Sequence, residues 1–431
     1  MKFVNLDGWA NLFTGIGMKK HDKRKGRIWS KELKLLSQDE LRTMYRGEGL
    51  ATRIVNLPAN EMLRAWFKVE GDKDGLISQK LDVLSAKKKL STALKWDRLF
   101  GGSLIIAGLD DGGGLEEPLN EDNISDIKFL HVFDRYSVTT FSVYDDPENE
   151  KYGETEVYMV TPKRGGTTFN VHESRCLVFD GMEIDDLSRR ENDGWGDSVL
   201  QRVFTRLKGL SFGYENLESI IEEFIIGTLS IKDLASTLVT NGEKDIQKRL
   251  AQIDMSKSLI SSILLDADGE KYERISSTVS GLGDLFDRLI NALSAVSEIP
   301  VTLLMGQSPA GLKATGDSDI RFFYDSISSK QETKLQEPLE RLVKWIQLCK
   351  DYEFRGKELD SWKIQFNPLW MPTSKEQAET RKTVAEADKI YVELGVVDET
   401  EIRVSRFSGE YKIDTVLDEK LTNSMKDNGE E

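Results

Sequence analysis

Residues Gly281 to Ile346 constrain the fold most: an amphipathic helix is stopped by a proline, a glycine-punctuated loop follows, and a second long helix begins. Leu282, Leu285, Phe286, Leu289, Ile290, Leu293 and Val296 recur at helical spacing, so they form one apolar stripe that needs a neighbour. Pro300 removes a backbone donor and excludes the helical conformation for Ile299, which ends that helix and turns the chain. From Val301 to Gly316 the chain reads as an ordered but movable loop, with Gly306, Gly311 and Gly316 at a constant spacing around Pro309. The second helix is expected to open at Asp317-Ser-Asp319, whose short side chains cap it, and to run through Phe323, Tyr324, Ile327, Leu335, Leu342 and Ile346 to about Lys350. Pro338 should kink or restart it. Pro300, Gly306, Gly311 and Gly316 are therefore the candidate hinges.

Upstream, residues 1–45 are polar and carry a basic cluster of Lys19, Lys20, Lys23, Arg24, Lys25 and Arg27. This reads as a solvated arm, with contact to DNA or an assembly partner as the alternative. Residues 46–197 mix helices with strands. A short helix is expected around Ile54, Met62 and Leu63, then one charged helix through Leu81, Leu84, Leu90, Leu94 and Leu99. Strands are expected at Leu104–Ala107, Ile127–Phe133, Val138–Tyr144, Thr155–Val160 and Cys176–Phe179, giving an α+β unit. Asp197 or Ser198 should cap a helix over 198–227, about 45 Å long. Residues 228–277 read as a small α/β insert: a charged helix at Lys244–Ile253 and a hairpin pairing Ile263–Leu265 with Tyr272–Ile275. The helix of 278–299 follows. Beyond Lys350, a strand is expected at Trp362–Phe366. Ser374-Lys-Glu-Gln377 then opens a helix that Gly395 closes, and Asp398-Glu-Thr-Glu401 opens another. Residues 411–431 read as a mobile acidic tail.

Several chemistries fail on their residues. The histidines, His21, His131 and His172, form no HxxH or HExxH signature. Gly306-Gln-Ser-Pro-Ala-Gly311 opens like a phosphate-binding loop, but Leu312 separates the second glycine from Lys313, and Ala314 stands where a hydroxyl is needed. Asp266-Ala-Asp-Gly269 lacks the ligand repeat of a calcium loop. No cofactor and no metal ligand set is expected, and the chain reads as non-enzymatic. Cys176 and Cys349, far apart, should be reduced and partly buried. No apolar run reaches the length of a membrane span and the N-terminus lacks a signal-peptide core, so no membrane partner is expected and the protein should be made in the cytoplasm. A net charge of −15 argues against an ordinary DNA binder, which needs clustered cations. It is compatible with an acidic conduit along which DNA slides, or with charge that simply keeps the protein soluble.

The order Ile299-Pro300, leucine-rich turn, Gly306-Gln-Ser-Pro-Ala-Gly311, Ala314-Thr-Gly316-Asp-Ser-Asp319, then a helix with Tyr324 and Gln331, resembles the portal proteins of tailed bacteriophages. Ala51-Thr-Arg-Ile-Val-Asn-Leu-Pro58, Glu61-Met-Leu-Arg64, Trp96-Asp-Arg-Leu-Phe-Gly-Gly-Ser103, Gly194-Trp-Gly-Asp-Ser198 and Phe366-Asn-Pro-Leu369 extend the resemblance over roughly residues 45–405. It implies a portal-like α+β fold, with a wing over 46–197, stem helices at 198–227 and 278–299, a clip at 228–277, a tunnel loop at 300–318, and further wing and a small crown over 319–410. It further implies a homo-oligomeric ring, a dodecamer, at one capsid vertex of the virion. Double-stranded DNA would pass through it during packaging and ejection, and terminase large subunit, head-tail adaptor, major capsid and scaffold proteins would be its partners. Gln307, Ser308, Lys313, Ala314 and Thr315 would be the DNA-facing loop residues, with Lys313 contacting phosphate or facing solvent or a neighbouring subunit. The rival readings are a monomeric phage scaffold or adaptor, and a phage phosphodiesterase related to portal-like proteins, which paired histidine motifs would favour.

Overall fold

The computed structural model describes residues 35–72, 74–163, 165–223, 227–231, 248, 270–274, 281–306, 315–370 and 374–407. Two compact units divide the chain after Asn367. In the first, helix α1 (Gln38–Gly47) corrects the boundary of the expected polar arm. Ser37 and Glu40 form a reciprocal capping box at its start, and Leu41 is buried, so the chain is already structured before residue 46. Helix α2 (Gly49–Arg64) carries Pro58 within it and buries Ile54, Val55, Met62 and Leu63. Strand β1 (Phe67–Glu70) follows. The single charged helix expected next is two, α3 (Leu76–Val83) and α4 (Ala86–Phe100). Ser85 separates them in the left-handed conformation, φ 52°, a break that leucine spacing alone does not reveal.

The β region is built on β2 (Ser103–Leu109), every residue of which is buried. It lies between β3 (Ile127–Asp134) and β7 (Cys176–Phe179), antiparallel to both. A second antiparallel sheet joins β4 (Val138–Val143), β5 (Thr155–Val160) and β6 (Phe169–His172). Leu104 and Ile106 of β2 share a core with Val138, Tyr158, Val160, Val171, Cys176 and Trp195, so the two sheets are joined through alternate positions. Helix α4 packs on β2 and β3. Every strand expected here exists, and β1 and β6 are two more that the sequence pattern does not mark out.

Three segments cross beside this core with their backbones in contact. A Cβ on Gly102 would lie 2.2 Å from the Trp195 ring, and one on Gly196 would lie 2.2 Å from the Asp180 carbonyl oxygen, so neither position accepts a side chain without movement. After the short helix α5 (Asp186–Glu191), Ser198 accepts the Leu200 amide and caps α6 (Val199–Glu223), about 37 Å long. Gly227, expected at the end of that helix, instead opens strand β8 (Gly227–Ile231), which pairs with β9 (Glu270–Arg274). The residues 263–265 expected to pair with this second strand, and most of the expected helix at 244–253, lie outside the described residues.

Helix α7 (Leu282–Ser297) packs on α6, with Tyr214 and Phe286 rings 4.9 Å apart. A short helix, α8 (Val301–Met305), comes next, then α9 (Thr315–Lys334) and α10 (Gln336–Leu348). The expected restart near Pro338 occurs at Leu335, leaving the proline in the first turn of α10, where its missing N–H costs nothing. Strand β10 (Lys363–Phe366) pairs antiparallel with β1.

The second unit holds α11 (Ser374–Glu393) and α12 (Glu399–Phe407), with Gly395 at φ 69° closing the first. Arg406 makes a buried bidentate pair with Asp388, at 3.0 and 2.9 Å. No described helix is long and apolar enough to cross a membrane. Cys176 and Cys349 are free and buried; burial pushes both thiols up, Cys349 to about 11. Maleimide at neutral pH is therefore expected to label neither thiol in the folded chain and both after denaturation, which mass spectrometry of the native protein checks.

Candidate functional site

The segment between α7 and α9 is fastened at its two roots by different means. On the α7 side, Glu298 takes a left-handed conformation, φ 57°, and the Ser294 hydroxyl donates to the Ile299 carbonyl at 2.6 Å. This conformation and this bond close the helix end, and Ile299 is buried beyond it. Pro300, φ −53°, stands at the N-cap of α8, whose Leu304 is buried. Val301 to Met305, expected to belong to the loop, are therefore a helical turn: the proline pre-sets its entry and Leu304 holds it down. Gly306 ends it at φ 71°, its N–H donating to the Thr302 carbonyl at 3.0 Å.

On the other side, one turn of α9 makes three attachments. Lys330 pairs with Glu298 at 2.7 Å, joining the two roots directly. The Gln331 amide nitrogen donates to the Met62 carbonyl of α2 at 2.6 Å. Lys334 reaches Asp97 of α4 at 3.3 Å and also bonds the Gly181 carbonyl. Asp97 is itself buried and accepts the Gly181 amide at 2.5 Å, so α4, α9 and the segment before α5 meet on one carboxylate. Nearer the loop, Arg64 lies over the Tyr324 ring at 5.3 Å, and Phe323 and Ile327 are buried. Phe322 is 73% exposed.

A cleft of about 540 Å³ opens beside these attachments, lined by Asp97, Arg98, Met182, Arg202, Lys330 and Lys334. Arg98 is enclosed, donating to the Val55 and Ile54 carbonyls at 3.0 and 2.8 Å; burial pulls it down to about 10, against the pull of Asp97, and leaves it charged at neutral pH. The Lys330 ammonium holds the Glu298 carboxyl below the usual range.

Of the residues singled out by sequence, Gln307, Ser308, Gly311, Lys313 and Ala314 lie outside the described residues. Thr315 and Gly316 fall in α9, so that helix opens two residues before the expected caps, and Gly316 stands in its first turn instead of in a loop. Pro300 and Gly306 bracket α8 as punctuation on either side of it. Lys330, Lys334 and Asp97 were not legible as a cluster. The available signal was Asp97-Arg98, a charged pair set between Leu94 and Leu99 on a face otherwise apolar. Of the histidines, His131 stacks on Phe129 at 4.3 Å and His172 bonds Ser174 at 2.8 Å, on different sheets. No cluster of metal-binding side chains is present among the described residues.

Among the described residues, the α6–α7 pair leaves apolar side chains largely exposed. Phe212 and Leu285 are each 55% exposed, and Tyr214, Leu289 and Val296 are exposed beside them.

Comparison with known proteins follows the same lines. The sequence model of a family described as phage portal protein matches residues 39–390. An anti-CBASS protein Acb1 of Caulobacter sp. (strain RHG1) is 32% identical over 398 residues, covering 89% of this chain and 62% of that protein. An uncharacterized protein of Haemophilus influenzae is 29% identical over 441 residues, covering 99% of this chain and 96% of that one. The chain thus spans about three fifths of the length of the anti-CBASS relative. Among solved structures, a chain from the neck of the native gene transfer agent particle, computed with C12 symmetry, shares the fold with a TM-score of 0.52 at 14% identity, covering 86% of this chain and 93% of that one.

Proposed function

Because this chain belongs to the phage portal protein family, we propose that it is one subunit of a closed ring at a capsid vertex, through whose axis duplex DNA passes during packaging and ejection. The observation that carries the reading, beside family membership, is the exposed apolar face of α6 and α7. A rotational ring sets this pair against the next copy, so the surface open in one chain is covered in the assembly. The symmetry named for the gene transfer agent neck supports twelve copies. In this assembly α6 and α7 are the stem, the 228–277 insert is the clip, and the segment between Gly306 and Thr315 is the tunnel loop.

The roots then have a mechanical role. Glu298–Lys330 clamps the stem end to α9, while Gln331 and Lys334 fix α9 to α2 and α4, so force on the loop is delivered to the wing and stem without loosening either. Gln307, Ser308, Lys313, Ala314 and Thr315 face the DNA. The net charge of −15 keeps the wall from gripping a polyanion that must slide. Terminase supplies the energy from outside the ring, and head-tail adaptor, scaffold and major capsid proteins dock on it. In this reading the chain works as a passive ring subunit; of the described histidines, His131 stacks on Phe129 and His172 bonds Ser174, on separate sheets. A purified chain that hydrolyses a general phosphodiester such as bis(p-nitrophenyl) phosphate would favour the phosphodiesterase reading instead.

Deleting 310–314 tests the loop directly, since it spares α8 and α9. Rings are expected to form in normal number while packaged DNA falls on the order of tenfold. Unchanged packaging would remove the loop from the mechanism.

A further inference from the structure

We propose that Arg53 is a second DNA-contacting residue of the channel wall, taking a backbone phosphate at the root of the tunnel loop. The inference rests on the channel reading and adds a residue from α2, outside the loop. Helix α2 lies beside both ends of the loop: it packs against α8, and against α9 through Met62 and Arg64. Arg53 is exposed at the α8 end. Both terminal nitrogens of its guanidinium lie 3.9 Å from the position a Cβ on Gly306 would occupy, at the last described residue before the loop.

The other cations around these roots are engaged. Lys330 pairs with Glu298, Lys334 with Asp97 and the Gly181 carbonyl, and Arg64 with Glu61 and the Tyr324 ring. Arg98 is enclosed by backbone carbonyls, and Arg202 donates to the Glu183 carbonyl. Arg53 has no carboxylate, carbonyl or ring partner among the described residues. In a chain carrying −15 overall, it is an exposed, unneutralised guanidinium standing beside the segment that meets the duplex. A planar guanidinium fits a phosphate with two parallel N–H donors, which an ammonium does not. One such contact per subunit is weak enough to be exchanged as DNA advances, because tight holding needs many phosphates neutralised at once.

The test uses the full chain in assembled, packaging-competent rings. Arg53→Cys and Lys313→Cys are each compared, with packaging stalled on a duplex that carries bromoacetamide groups on its backbone; the buried native thiols stay silent. Covalent adducts are expected at both positions. An adduct at 313 with none at 53 overturns the role of Arg53 and leaves the channel reading standing; none at either overturns both. Arg53→Glu is expected to lower packaged DNA on the order of tenfold with ring number unchanged, and Arg53→Lys to fall between it and the natural protein. Packaging by Arg53→Glu rings equal to that of the natural protein overturns the proposal, and where Arg53→Glu fails to assemble, the adduct at 53 decides.

Discussion

Replacing Arg175 with methionine is expected to lower stability by about 3–5 kcal/mol, the range for leaving one charge of a buried pair alone. The guanidinium is fully buried and its partner Asp111 is 1% exposed. Two parallel bonds join them, at 3.1 and 2.7 Å, and the Arg175 Nε donates to the Glu117 carbonyl at 2.9 Å. Asp111 also accepts the amides of Gly113 and Asn120, so the pair fastens the whole turn after β2 to the start of β7. Burial pushes the Asp111 carboxyl up, but Arg175 and the two amides outweigh it and hold the group below the usual range. The stabilisation is therefore complete above the unfolded value of about 3.9 and is lost as pH falls through the lower folded value. Urea unfolding at pH 7 should show the full difference between the two proteins, and the difference should shrink below pH ~4. A difference that is small at pH 7, or unchanged in acid, contradicts this account of the turn.

Asp97→Ala should have the next largest effect, about 3 kcal/mol, because it leaves the buried Gly181 amide without an acceptor and Lys334 without its counter-ion. Asp97→Asn keeps an acceptor for Gly181 and loses only the charge, so a cost nearer ~1 kcal/mol is expected. The two variants also separate stability from assembly: Asp97→Ala releases α9 from α4 while leaving Glu298–Lys330 and Gln331–Met62 in place. Thermal unfolding of the two variants checks the order, and equal transitions would show that the carboxylate is not the point on which these elements meet.

Periodic apolar patterns proved dependable guides where they were long. The stripe from Leu282 to Val296 became α7 within a residue at its C-terminal end, and Thr155–Val160 and Cys176–Phe179 are strands with the expected limits. Errors arose where a single residue's conformation decides. Ser85 divides α3 from α4 through a positive φ that nothing in its chemistry announces, and Val301–Met305 became helical because Leu304 found a core. Gly227 lies in a strand because it pairs with Arg274, far along the chain in the β8–β9 ladder, and local propensity carries no record of that pairing. The motif Gly101-Gly102 and the motif Gly194-Trp-Gly196 stood out only as landmarks. Their physical content, Trp195 laid over Gly102 beside the Asp97 carboxylate, depends on residues that approach from distant parts of the chain. The salt links of Lys330 and Lys334 were equally hidden, since charged residues on a helix read first as its solvated face.

Electron microscopy of the full chain, expressed alone and with its capsid and scaffold proteins, tests the ring most directly. The account predicts closed rings with an axial hole wide enough for duplex DNA, with α6 and α7 of adjacent copies covering Phe212 and Leu285. Monodisperse monomers under both conditions, with those side chains still open to solvent, would contradict it and favour the adaptor reading.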